Sequence, residues 1–136
     1  MPWGGFEREH PLTKEMLGSG LHVAIDDVSI EQDGVVRVAV SFECRAAVPD
    51  ISATLVAYDA TGAALHSQRY ENRSLVAGRM SWRLLFQVPR EVLHDMKTID
   101  ISVDGVKCHK TETDVAGMVE VALRNFDLAS MAADGG

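Results

Sequence analysis

The stretch VRVAVSFE, residues 36–43, alternates large apolar side chains with polar or small ones without interruption. Successive side chains of a β-strand point to opposite faces of a sheet, so the apolar residues of this stretch share one face and the polar residues share the other. The segment therefore predicts a strand that packs one face into a core and turns the other toward solvent.

The same alternation recurs in segments 21–30, 51–57, 80–88 and 99–103, and more weakly in 64–70. Gly, Pro, Asn and Asp residues lie between these segments and are typical of turns. Six short strands at this spacing predict an all-β fold, namely an immunoglobulin-like antiparallel β-sandwich. A parallel sheet is not expected, because the first hundred residues offer no helical crossover.

Several local features refine this prediction. The adjacent pair Asp26-Asp27 shifts the alternation of the first strand, which indicates a bulge, and Asp33-Gly34 indicates a hairpin turn. A loop is expected over residues 72–78 and a helical turn over residues 89–96. The residues predicted to share one buried core are Val38, Val40, Phe42, Leu55, Trp82, Leu84, Phe86, Ile99 and Ile101.

The segment 115–131 is compatible with either a helix or a strand. In a helix that begins after an Asp114 N-cap, Glu120 and Arg124 form an exposed i,i+4 pair. The opposite, buried stripe then contains Met118, Val119, Ala122, Phe126 and Ala129. The apolar pattern is longer than a typical strand, so a helix is favoured.

The chain has 136 residues, which predicts one core domain. We divide it into an N-terminal arm (residues 1–20), a β-sandwich domain (21–105) and a C-terminal extension (106–136). The arm carries Trp3 and Phe6 between charged residues and lacks the apolar core of a secretory signal peptide. A cytoplasmic location with reduced thiols is therefore expected.

Apolar residues make up 46% and charged residues 24% of the chain, as in soluble globular proteins. The net charge of −7 disfavours binding to nucleic acid or to an anionic membrane. No apolar run approaches the length of a membrane span. The two cysteines are too few for a disulfide framework.

Residues 21–104 resemble the immunoglobulin-like domain named for its Phe-x-Leu-Tyr-Asp (FxLYD) motif. The resemblance rests on LVAYDATGAAL at residues 55–65, on the spacing from Gly78 to Trp82 and on the closing Pro89. Tyr58 and Asp59 match the motif, whereas Leu55 stands in place of Phe and Ala57 in place of Leu. The resemblance implies a non-catalytic domain of the kind found on bacterial and archaeal envelope proteins.

Candidate catalytic and metal-binding groups are few. Cys108-His109 could pair a nucleophile with a base, but neighbours on a strand point to opposite faces. Only Cys44 could join them at a zinc site, which needs four ligands. The acidic residues between Asp26 and Asp33 lack the spacing of a calcium loop. We therefore predict no catalytic, cofactor-binding or metal-binding residue and no cofactor.

Charge is unevenly distributed along the sandwich. Residues 21–60 carry a net charge of −5 and residues 69–97 a net charge of +3. Arginine is suited to bidentate recognition of carboxylates at interfaces, so a basic region of one molecule could meet an acidic region of another. Ordinary surface charge satisfied within one molecule explains the pattern equally well. The candidate interaction residues are Trp3, Phe6, Arg69, Arg79, Arg83 and Phe126.

These observations predict a non-catalytic protein-interaction or assembly module that binds itself, as a homodimer, or a protein partner. The alternative is a small-ligand carrier with a pocket between the sandwich and the C-terminal helix, lined by Met16, Met80, Met96 and Met118. A cysteine-dependent enzyme using Cys108 and a modifier ending in the diglycine of residues 135–136 are weaker alternatives.

Overall fold

The computed structural model describes residues 21–104, 106 and 108–135, so Trp3, Phe6 and the rest of the predicted arm lie outside the described residues. Strands dominate, as the alternation predicts, and one long helix follows them. The elements are β1 (Leu21–Ile30), β2 (Val36–Cys44), β3 (Val48–Tyr58), β4 (Ala64–Leu75), β5 (Gly78–Phe86), a 3-10 helix (Arg90–Asp95), β6 (Thr98–Asp104), β7 (Cys108–Lys110) and α1 (Val115–Gly135).

The described strands form two sheets, ordered β5-β2-β1-β7 and β4-β3-β6. Every pairing is antiparallel except one: β7 runs parallel to β1, with Leu21 opposite Cys108. The prediction of a purely antiparallel sandwich is thus wrong for this pair. β6 belongs to the second sheet, so the chain passes back to the first sheet between β6 and β7. β1 and β7 are therefore far apart in the sequence, and a parallel pair of this kind needs no hairpin connection.

The core lies between the two sheets and is made by the inward-facing residues of the alternating strands. Of the nine predicted core residues, all except Trp82 are buried. Trp82 is half-buried at the margin of the core, where the Arg73 guanidinium lies 5.7 Å from its ring centre. Its position on the end strand β5 explains this exposure, since no further described strand covers that side.

Two local features predicted around β1 are confirmed. The register between β1 and β2 shifts between Ile25 and Asp27, which is the bulge expected at the acidic pair. The turn after β1 places Gly34 at a φ of 90°, a conformation that favours glycine. The Asp33 carboxylate accepts a hydrogen bond of 3.0 Å from the Val35 amide and so fixes the turn.

The predicted boundaries of β3 and β4 are too short. β3 begins at Val48 and continues through Pro49-Asp50 by means of register shifts, with Asp50 at a φ of 57°. β4 continues to Leu75, so the loop expected over residues 72–78 is mostly strand. β4 lies at the end of its sheet and pairs only with β3, so it can be polar along most of its length before Leu75 enters the core.

The C-terminal segment closes the open side of the sandwich beside β1 and β6. After β7, the Thr111 amide donates to the Val23 carbonyl (2.9 Å) and the Thr113 hydroxyl donates to the Ile25 carbonyl (2.8 Å). The predicted helix is confirmed and extends to Gly135. Its cap is confirmed too, since the Asp114 carboxylate accepts a 3.0 Å hydrogen bond from the Gly117 amide.

Candidate functional site

The outer face of α1 carries a row of exposed apolar side chains. Val121, Leu128 and Met131 are 47%, 57% and 67% exposed, and we call these three residues the outer row. Spacings of seven and three residues bring them to one side of the helix. The row was not predicted from the sequence, although its spacing is visible there, because the stripe that includes Val119 and Ala122 already accounted for the buried face.

Phe126 does not belong to a free surface. Its side chain is 5% exposed and enters the core together with Val119 and Ala122. The Arg90 guanidinium lies 5.7 Å from the ring centre, and the His94 ring lies 6.2 Å from it. The position of Phe126 between α1 and the 3-10 helix thus corrects its assignment as an interaction residue, because the chain itself covers the ring.

Arg69 is held by two carboxylates of its own chain. Its guanidinium lies 2.9 Å from Glu71 and 3.0 Å from Asp104, and it thereby links β4 to β6 across the outer face of β3. The hydrogen bond to Asp104, followed by that to Glu71, raises the pKa of Arg69 above its ordinary value. The basic region could either meet an acidic region of another molecule or have its charge satisfied within one molecule. The second interpretation describes Arg69.

Arg79 and Arg83 lie on β5, the end strand of the four-stranded sheet, and both are exposed. Arg73 approaches the same strand from β4, over Trp82. A cleft of about 350 Å³ opens between β4 and β5, and Arg73 and Arg83 line it together with Gln68, Tyr70, Leu84, Leu85 and Gln87. We call strand β5, together with Arg73, Arg79 and Arg83, the arginine edge.

The pair Cys108-His109 lies on β7, beside β1. His109 stacks on His22 of β1, with ring centres 5.3 Å apart. Burial raises the pKa of the Cys108 thiol to about 11, so the thiol stays protonated at neutral pH. Cys44 is buried and its thiol donates to the Val76 carbonyl at 3.2 Å. Both cysteines are free thiols in the structure.

The raised pKa of Cys108 leads to a measurable prediction. In a Cys44→Ser background at pH 8, we expect the thiol to react with iodoacetamide about 100-fold more slowly than a cysteine peptide, because the thiolate fraction falls about tenfold per pKa unit. The rate should rise with pH up to about 11. Denaturation in urea is the control and should restore the peptide rate. A folded-state rate equal to that of the peptide at pH 8 would contradict this assignment.

Acidic residues around β1 contact polar side chains of the neighbouring strand β2. The Asp26 carboxylate accepts a 3.2 Å hydrogen bond from the Ser41 hydroxyl, and Glu31 forms a 2.9 Å ion pair with Arg37. Among the described residues, no group of three or more His, Cys, Asp or Glu side chains is arranged to hold a metal ion.

A second cleft, of about 430 Å³, lies between β1, β6 and residues 110–116. The ion pair of Lys110 with Asp100 (2.8 Å) crosses it, and Tyr58 and Thr98 contribute to its wall. The described methionines are not among its lining residues. Met96 is buried in the core, and Met80 and Met118 pack against the core.

Comparisons with known proteins identify no family for this chain. No protein-family model matches it, and no curated protein does. Among solved structures, IrmA from Escherichia coli is similar at 11% identity and a TM-score of 0.48, over 61% of this chain and 74% of IrmA. A protein described as late embryogenesis abundant (LEA) is similar at 15% identity and a TM-score of 0.48, over 75% of this chain and 65% of its own. None of the described helices is long and apolar enough to cross a membrane.

Proposed function

We propose that this chain is a non-catalytic interaction module of immunoglobulin-like topology, and that it forms a homodimer through the outer row of α1. The observation that carries the proposal is the row itself: three large apolar side chains, each about half exposed or more, on a helix whose opposite face is packed into the core. Large apolar side chains that are exposed on one helix face are typical of protein-binding surfaces.

The Tyr-Asp turn supports the immunoglobulin-like, FxLYD-type part of the proposal. Asp59 follows the last residue of β3, and its carboxylate accepts hydrogen bonds from the Thr61 hydroxyl (2.6 Å), the Thr61 amide (2.9 Å) and the Ala63 amide (3.0 Å). These bonds, led by the one from the Thr61 side chain, lower the pKa of Asp59. The motif residue thus stabilises the hairpin, a role that requires no catalysis.

The outer row is suited to pairing with a second copy of itself. If two α1 helices pack antiparallel about an axis near residues 124 and 125, Val121 of one copy faces Leu128 of the other. Gly117 then faces Ala132, and two such small residues permit a close approach. A two-fold axis is the commonest symmetry of homo-oligomers, and it buries the same row twice.

The expected affinity follows from the exposed area. Full burial of one such side chain contributes about 1.5–3 kcal/mol. Six side chains that are each about half exposed would contribute roughly 5–10 kcal/mol. Association costs at least about 4 kcal/mol in lost translational and rotational freedom. The homodimer should therefore be weak and should depend on protein concentration.

Sedimentation velocity over a wide concentration range tests the proposal. We expect the wild type to sediment faster as its concentration rises, and Leu128→Asp to remain monomeric because a carboxylate would be buried in the interface. Leu85→Asp is the matched control, since Leu85 is a similarly exposed leucine (46%) on β5. It should associate like the wild type. A wild type that is monomeric at every concentration, or a Leu128→Asp variant that associates normally, would overturn the proposal.

A further inference from the structure

The arginine edge presents backbone groups that no described strand pairs. The Leu85 carbonyl accepts hydrogen bonds from the Tyr70 hydroxyl (2.6 Å) and from the side-chain amide of Gln68 (3.1 Å). The main-chain amide of Gln87 donates to the side-chain oxygen of Gln68 (2.9 Å). The Leu85 carbonyl and the Gln87 main-chain amide therefore point away from β2. Outward and inward groups alternate along an antiparallel strand, so the main-chain groups of Ser81 and Arg83 point outward as well.

The margins at β1 and β6 are covered by other parts of the chain. β1 is paired with β7 and then hydrogen-bonded to Thr111 and Thr113, and α1 packs beside β1 and β6. Among the described hydrogen bonds, side chains of β4 reach the main chain beside β5 only at Leu85 and Gln87. On β5, the stretch from Arg79 to Arg83 thus offers a ladder edge that no described strand pairs.

The charges at this edge select the kind of strand that could add to it. Arg83 lies on the outer face, and Arg73 lies on the opposite side of the strand, over Trp82. Adjacent residues of an added strand would point to these two sides in turn. Of the residues described as lining the cleft beside β5, none is acidic. A strand with neighbouring carboxylates would therefore meet one guanidinium on each face.

The same charges disfavour a second copy of the edge. Pairing β5 with β5 of another molecule would bring arginines opposite arginines, and like charges directly opposite each other destabilise a sheet. We propose that the arginine edge binds an acidic, extended segment of a partner protein by strand addition to β5. The inference rests on the proposed role as an interaction module, but it uses a different surface from the homodimer.

Fluorescence anisotropy with a labelled synthetic peptide tests this inference. The probe carries four consecutive Glu and Asp residues flanked by Val and Thr. One comparison peptide has Lys at the four acidic positions, and another has alternate backbone amides N-methylated so that it cannot pair as a strand. All titrations use the full chain carrying Leu128→Asp, so failure of the homodimer cannot affect the outcome. We expect the acidic peptide to bind at least tenfold more tightly than either comparison peptide.

Two variants test the contacts. Ser81→Pro removes only an outward amide, a position where an end strand tolerates proline, and it should weaken binding at least tenfold. Arg73→Glu with Arg83→Glu should reverse the preference from the acidic to the Lys peptide. Lys97→Glu with Arg124→Glu, two exposed residues away from β5, is the control for net charge and should retain binding.

Two results would overturn the inference. If the N-methylated acidic peptide binds as tightly as the unmodified one, the attraction is electrostatic and involves no strand pairing. If the Arg73 and Arg83 variant binds the acidic peptide like the wild type, the arginine edge is not the site. Circular dichroism establishes whether Ser81→Pro is folded. If it is not folded, the Arg73 and Arg83 variant still tests the inference.

Discussion

Replacing Phe126 with alanine is expected to destabilise the protein by about 3–5 kcal/mol, the range measured for buried aromatic residues. The ring is 5% exposed and lies between α1 and the 3-10 helix, with the Arg90 guanidinium over one face. Its removal would leave a cavity at the junction where the C-terminal helix closes the sandwich. Since a domain of this size is stable by only about 5–15 kcal/mol, a large fraction of the stability would be lost.

Urea denaturation followed by circular dichroism measures this effect. Leu128→Ala is the matched control, because Leu128 lies on the same helix but is 57% exposed, and its loss should change the free energy of unfolding by less than about 1 kcal/mol. Phe126→Leu conserves most of the buried volume and should fall between the two. Equal stabilities of Phe126→Ala and Leu128→Ala would show that the ring is not buried in solution.

Strand prediction succeeded where one face of a strand packs and the other is solvated. In β2, Val36, Val38 and Val40 are fully buried while Arg37 and Ala39 alternate with them on the outer face. The hydrophobic effect imposes that period directly on the sequence, so it can be recovered without coordinates.

β4 shows where this signal fails. It lies at the end of a sheet and pairs on one side only, so residues such as Arg69 and Glu71 can be charged without loss of the ladder. The polarity of residues 72–74 predicts a loop, although the backbone pairing with β3 continues to Leu75. Which strand is terminal in a sheet depends on contacts distant in sequence, and composition within the strand does not encode it.

The candidate interaction surfaces, like the strands, could be predicted only in part. The helical period correctly placed Phe126 on the buried stripe of α1, yet its size also suggested an interaction residue. The outer row escaped attention because Val121 and Leu128 are apolar but uncovered, and only the position of the helix on β1 and β6 shows which face is free. Similarly, the sequence suggested one role for Arg69 and Arg83, whereas among the described residues a carboxylate of β4 and one of β6 bind Arg69 alone of the two.

The second large effect concerns alkaline pH. Tyr70 is 8% exposed, its hydroxyl donates to the Leu85 carbonyl at 2.6 Å, and burial raises its pKa to about 12 from the ordinary value of 10.0. Below pH 10 the phenol is protonated in both the folded and the unfolded chain, so its contribution to stability is complete. Between pH 10 and 12 the unfolded chain loses the proton first, and the contribution falls by about 1.4 kcal/mol per pH unit.

Urea denaturation of Tyr70→Phe and wild type from pH 8 to 12 isolates this contribution. The variant should be less stable by about 1 kcal/mol at pH 8, because it lacks the hydrogen bond to Leu85. The deficit should shrink above pH 10 and reverse near pH 11, since phenylalanine cannot ionise. The raised pKa of Cys108 also lowers stability at high pH, but equally in both proteins, so it cancels in the difference. A constant deficit for Tyr70→Phe across this range would mean that the phenol is solvated in solution and not buried beside Leu85.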